Sequence, residues 1–107
     1  MGKARLTEGG TVLRSDRMEV VRIRLRRGEG SGSCAHPEEE TIFVEEGRLQ
    51  VTLGEGESSE TYVVGAGQAT FHPSGVPHRV SALEDTWTVG FKNLVESSGP
   101  RQAGRLQ

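Results

Sequence analysis

The sequence predicts an all-β domain, an antiparallel barrel or sandwich. Three observations carry that prediction. Apolar and polar residues alternate through several short runs, turn residues interrupt those runs at regular intervals, and no amphipathic helical run of useful length occurs. A share of 33% hydrophobic residues beside 15 glycines fits many turns between short strands, since glycine supplies the positive φ angles that tight turns need.

Taken in order, Thr11 to Leu13 reads as a short strand, and Ser15 to Arg17 as a turn. Residues 18–27 alternate plainly: Val21, Ile23 and Leu25 share one face, expected to be buried, while Arg22, Arg24 and Arg26 share the other, expected to be solvated. Residues 28–33 read as a flexible Gly/Ser loop; no helix follows it, so it lacks the helix N-terminus that a phosphate-cradling loop requires. Residues 40–46 form the next predicted strand. Beyond Gly47, the residues Leu49, Val51 and Leu53 give another strand an inward face. A polar hairpin loop, residues 54–59, leads to strands at 61–64 and 68–72, then a Pro/Gly turn and a strand at 77–82. In the last strand Trp87, Val89 and Phe91 alternate with Thr86, Thr88 and Gly90, and the aromatics are expected to pack in the core or line a pocket mouth.

A length of 107 residues suits one domain. A formal net charge of −2 gives no reason to expect nucleic acid or an anionic membrane as partner. The N-terminal residues have no apolar signal core, and no stretch approaches the ~20 apolar residues of a membrane span. A single cysteine cannot form an internal disulfide, so Cys34 is a free thiol or a ligand, which fits a reducing, cytoplasmic location.

Cys34, His36, Glu38 and Glu40 have the same parity, so on an extended chain they project from one face within roughly 20 Å of strand. A metal ion needs such convergence of donors. His78 adds an imidazole just after Pro77, which fixes the backbone leading into it. Glu38 is expected to be turned outward by Pro37, and Glu39 to face solvent. His72, beside the turn, is a weak candidate base next to the metal, with a surface or packing role as the plainer reading.

These residues resemble the cupin family, whose first motif reads G-x5-H-x-H-x3,4-E-x6-G and whose second reads G-x5-P-x-G-x2-H-x3-N. Here the first aligns as Gly28, Cys34, His36, Glu40 and Gly47, and the second as Gly67, Pro73, Gly75 and His78. The resemblance covers about residues 10–93. It implies a double-stranded β-helix (jelly-roll) barrel, largely antiparallel, over residues 11–95; residues 1–10 read as a loosely attached N-terminal arm and residues 96–107, which lack apolar periodicity, as a flexible tail. It also implies that His36, Glu40 and His78 bind a divalent metal ion (Zn, Fe, Ni, Mn or Cu), with Cys34 as a candidate fourth ligand. The chain departs from the family at Cys34, which stands where a histidine is usual, and at Ala82, which stands where the second motif ends in Asn. A ligating thiolate favours Zn²⁺, Ni²⁺ or Cu; a Cys34 that only lines the pocket leaves a two-histidine, one-carboxylate set suited to non-haem Fe(II). The functional expectation is a metal-dependent oxygenase, lyase or isomerase acting on a small polar metabolite, as a homodimer. The alternative is a non-catalytic binding or sensing module.

Overall fold

The computed structural model describes residues 10–95. The expected arm at 1–9 and tail at 96–107 lie outside the described residues, and Gly10, assigned to the arm, begins the first strand. The strands among the described residues are β1 (Gly10–Arg14), β2 (Met18–Leu25), β3 (Gly30–Cys34), β4 (Glu40–Glu46), β5 (Arg48–Leu53), β6 (Glu60–Gly65), β7 (Ala69–His72), β8 (His78–Ala82) and β9 (Thr86–Asn93). One turn of 3-10 helix, Gly56–Ser58, sits in the loop after β5.

All strand pairings are antiparallel. They form a five-stranded sheet in the order β1-β2-β9-β4-β7 and a four-stranded sheet in the order β3-β8-β5-β6. The sheets are not closed into a barrel, which corrects the expected barrel: no ladder joins one sheet to the other, and they face each other as a sandwich. The reason lies in the connections. Between β2 and β3, β3 and β4, β4 and β5, β6 and β7, and β7 and β8, the chain bends at glycine or proline and crosses to the opposite sheet instead of extending the ladder it leaves, and it crosses again at residues 83–85 between β8 and β9.

The core lies between the inner faces, where Val44, Leu49 and Val51 are wholly buried together with Val64, Val80 and Ala82. Burying each of the larger side chains contributes about 1.5–3 kcal/mol. The alternation in β2 is as expected on its inner face, since Ile23 and Leu25 line a cavity between the sheets. Its outer face is less solvated than expected: Arg22 donates to Glu45 Oε1 at 2.7 Å and stacks its guanidinium 4.0 Å above the Trp87 ring.

Two elements depart from expectation. The Gly/Ser segment is not a loop: it includes β3, paired with β8. A Cβ on Gly30 would collide with the backbone of Val80 and Ser81, so glycine here permits close strand packing rather than flexibility. In β9 the aromatic parity faces outward, which places Trp87 and Phe91 on the outer surface of the five-stranded sheet. Thr88, Gly90 and Lys92 face inward.

Candidate metal centre

The first motif does not run as one straight strand. β3 ends at Cys34 in the four-stranded sheet and β4 starts at Glu40 in the five-stranded sheet. The intervening residues cross from one sheet to the other, so Cys34 and Glu40 approach His78 from different sheets. A bulge between Ser31 and Cys34 sets Cys34 opposite His78 on β8. Glu40 stands opposite His72 on one side and Lys92 on the other. Each sheet thus supplies a ladder pair, Cys34–His78 and Glu40–His72, and the crossing segment supplies His36.

The second motif holds that crossing in place. Gly75, at φ +75°, donates its N–H to the His36 carbonyl at 2.8 Å, and Ser74 Oγ donates to the Pro37 carbonyl at 2.7 Å. The same turn orients His78, because the Val76 carbonyl can only accept. The His78 Nδ1, 3.2 Å from it, therefore carries the proton, and the Nε2 lone pair is left toward the cavity. His36 Nδ1 is engaged in the same way by the Glu38 carbonyl at 3.1 Å. Glu38 itself is buried, with Oε1 3.5 Å from His36 Nδ1, not turned outward as Pro37 suggested. Glu39 is exposed, as expected.

The donor atoms converge on His78. Its Nε2 lies 3.6 Å from Cys34 Sγ and 3.7 Å from Glu40 Oε1. Donors bound to one zinc ion at tetrahedral angles sit roughly 3.4–3.6 Å apart, so His78 is placed to share an ion with Cys34 or with Glu40, which belong to two donor clusters that have only His78 in common. One donor atom each from Cys34, His36 and His78 lies within 4.8 Å of the others, and the same is true of Glu40, His72 and His78. His72, the weak candidate base, is fully buried, with its ring 4.4 Å from and nearly parallel to that of His78. Its Nδ1 lies 3.4 Å from Glu40 Oε1, and its buried Nε2 has no hydrogen-bond partner. It either orients Glu40 or serves as a further donor.

Burial lowers His78 below its ordinary value, outweighing the Val76 carbonyl, so the ring is neutral at pH 7. Burial alone would raise Glu40, but the His72 hydrogen bond and the Lys92 charge hold the carboxyl below its ordinary value. Burial and the Glu40 charge raise the Cys34 thiol. Cys34 is exposed at the mouth.

These groups form the polar end of a cavity of about 450 Å³, with apolar walls that include Ile23, Leu25, Ile42, Leu49 and Val80. Sequence reasoning missed one residue of this end, Lys92, which lines it. The signal was its parity with Thr88 and Gly90, but the apolar partners at Trp87, Val89 and Phe91 suggested the opposite orientation.

A family model for the cupin domain matches residues 21–91, most of the chain. The chain belongs to the cupin family. No curated protein matches it. This cupin is similar to a solved Streptococcus pyogenes protein, SPY1581, of unknown function, at 23% identity and TM-score 0.71 over 80% of this chain and 72% of that one. It is similar to KdgF from Halomonas sp. at 18% identity and TM-score 0.73 over 91% of both chains. Both likenesses show the fold alone. It is also similar to Bacillus subtilis oxalate decarboxylase, a protein with Mn(II) centres, at 26% identity and TM-score 0.69 over 83% of this chain but only 25% of that one. Its clusters of potential metal ligands accord with a divalent-metal cofactor in general terms.

Proposed function

We propose that this cupin is a metal-dependent enzyme of the oxygenase, lyase or isomerase type acting on a small polar metabolite. The observation that carries the proposal is the His78 Nε2 lone pair at the end of a cavity, shared by two clusters of metal-ligating side chains, one with Cys34 and His36 and one with Glu40 and His72. Cys34, His36, Glu40 and His78 would hold the ion, with His72 supporting Glu40. When bound, a divalent ion supplies Lewis-acid polarisation of a substrate oxygen. The protein's own contribution is to orient: the Val76 and Glu38 carbonyls fix the tautomers of His78 and His36, and the apolar walls exclude water around the bound metabolite.

A non-catalytic binding module is favoured by one observation, the fourth donor Cys34 at the mouth, where it would fill a position a substrate needs. The two are separated by reconstituting the metal-free protein with Zn²⁺, Mn²⁺, Fe²⁺, Ni²⁺ or Cu²⁺ and following a mixture of small metabolites by NMR, with oxygen uptake in parallel. Consumption of one compound supports the enzyme; line broadening without consumption supports the binding module.

We further propose that one domain spans residues 11–95, that the protein works in the cytoplasm, where Cys34 stays reduced, and that it forms a homodimer. The dimer is supported by an apolar outer face on the five-stranded sheet. Phe71 and Phe91 flank Thr41 there and are 50% and 40% exposed, with Phe43 on the same face at 37%. A second copy would cover it.

A further inference from the structure

We propose that Lys92 recognises the carboxylate of a small substrate at the polar end of the cavity. This rests on the cavity being the substrate site.

Lys92 is 8% exposed and lines the cavity beside Cys34, His36, Glu40 and His78. Its ladder neighbours are both carboxylates, Glu19 on β2 and Glu40 on β4. Neither pairs with it within 4.0 Å. Glu19 binds Arg14 through Oε2 at 2.7 Å, its buried Oε1 having no hydrogen-bond partner, and Glu40 faces His72 at 3.4 Å and His78 at 3.7 Å. Among the described residues Lys92 has neither a hydrogen bond nor an ion pair. Lysine is seldom this buried without a contact partner, and here its charge acts on Glu40 without an ion pair. An anion entering the cavity supplies that partner.

The choice of residue narrows the anion. The chain has two lysines, Lys3 and Lys92, against eleven arginines, so a compact ammonium stands here in a chain whose basic side chains are mostly guanidinium groups. One point charge suits a single carboxylate, whereas a phosphate dianion is usually met by several donors, and no arginine lines this cavity. The apolar walls suit a short uncharged body behind the carboxylate. The structure therefore points to a small organic acid rather than a sugar or a phosphorylated metabolite.

Calorimetry with pyruvate and malonate, their uncharged amides and inorganic phosphate tests this on metal-free and Zn²⁺-loaded protein. Wild type should bind at least one carboxylate at least about tenfold more tightly than its amide in both forms, and Lys92→Met should lose at least about tenfold with metal content unchanged. Lys92→Arg should restore most of the affinity. In wild type, pyruvate or malonate should shift one of the two lysine Cε resonances, a readout that still decides the matter if Lys92→Met does not fold. Unchanged carboxylate affinity in Lys92→Met, equal binding of amides, tighter binding of phosphate, or no carboxylate binding in either form overturns the proposal. If no metal binds but the metal-free protein shows the Lys92 dependence, the metalloenzyme proposal fails and this one stands. Metal binding with Lys92-independent affinity gives the converse.

Discussion

Cys34 and His78 are ladder partners on β3 and β8, and the thiol sulfur lies 3.6 Å from the imidazole Nε2. The pairing makes a proton count decisive. The thiol is raised above its ordinary value, so at pH 8 it is protonated in the metal-free protein. His78 is lowered and already neutral there, and Glu40 is lowered and already ionised. Zn²⁺ bound through the thiolate must therefore displace about one proton. Titration at pH 8 in Hepes and in Tris, whose ionisation enthalpies differ, should report that proton in wild type and none in Cys34→Ala.

His72 shows how a residue behind the site serves it. Its ring is stacked on His78 and its Nδ1 faces Glu40. Replacing it with alanine should lower Zn²⁺ affinity about 10–100-fold, the usual cost of losing a group that orients a ligand. A competition titration against a chelator of known affinity measures this, and an unchanged affinity would leave His72 a packing residue.

Gly30 and Gly32 make a paired test of β3. A methyl group at Gly30 meets the Val80 backbone, whereas one at Gly32 meets nothing within 4 Å. Gly30→Ala should destabilise the fold by at least about 2 kcal/mol, a fall in Tm of roughly 10 °C for a domain of this size. Gly32→Ala should stay within about 0.5 kcal/mol of wild type. Thermal denaturation followed by circular dichroism compares them.

The apolar outer face gives a test of assembly. Phe71→Glu places a charge at its most exposed phenylalanine. Sedimentation velocity should show wild type as a dimer and the variant as a monomer with unchanged metal content; a monomeric wild type would remove the homodimer proposal.

Much of the fold was legible because alternation is local. In β2 and β5 the inner-face residues Ile23, Leu25, Leu49 and Val51 follow directly from parity. In β9 the same rule misled, because the outer face of that sheet is as apolar as its inner face, and Lys92 stayed hidden as a result. β3 was illegible, since Gly30 to Ser33 has the composition of a loop and its strand state depends on the distant Val80. Barrel closure was equally out of reach, because where a ladder ends is decided by strands far apart in sequence. At the site, motif spacing pointed to His36, Glu40 and His78; the fold sets donor atoms of His36 and of Glu40 each near His78, in two clusters that share only that residue. The simple parity of residues 34–40 did not describe how, since that segment changes sheets at Pro37.

The most direct test is metal content by elemental mass spectrometry on wild type and His78→Ala, each purified without added metal and again after reconstitution. About one divalent ion per chain in wild type and almost none in His78→Ala is the predicted result. No metal in wild type even after reconstitution, or equal metal in both proteins, would contradict the assignment of a metal centre at His78.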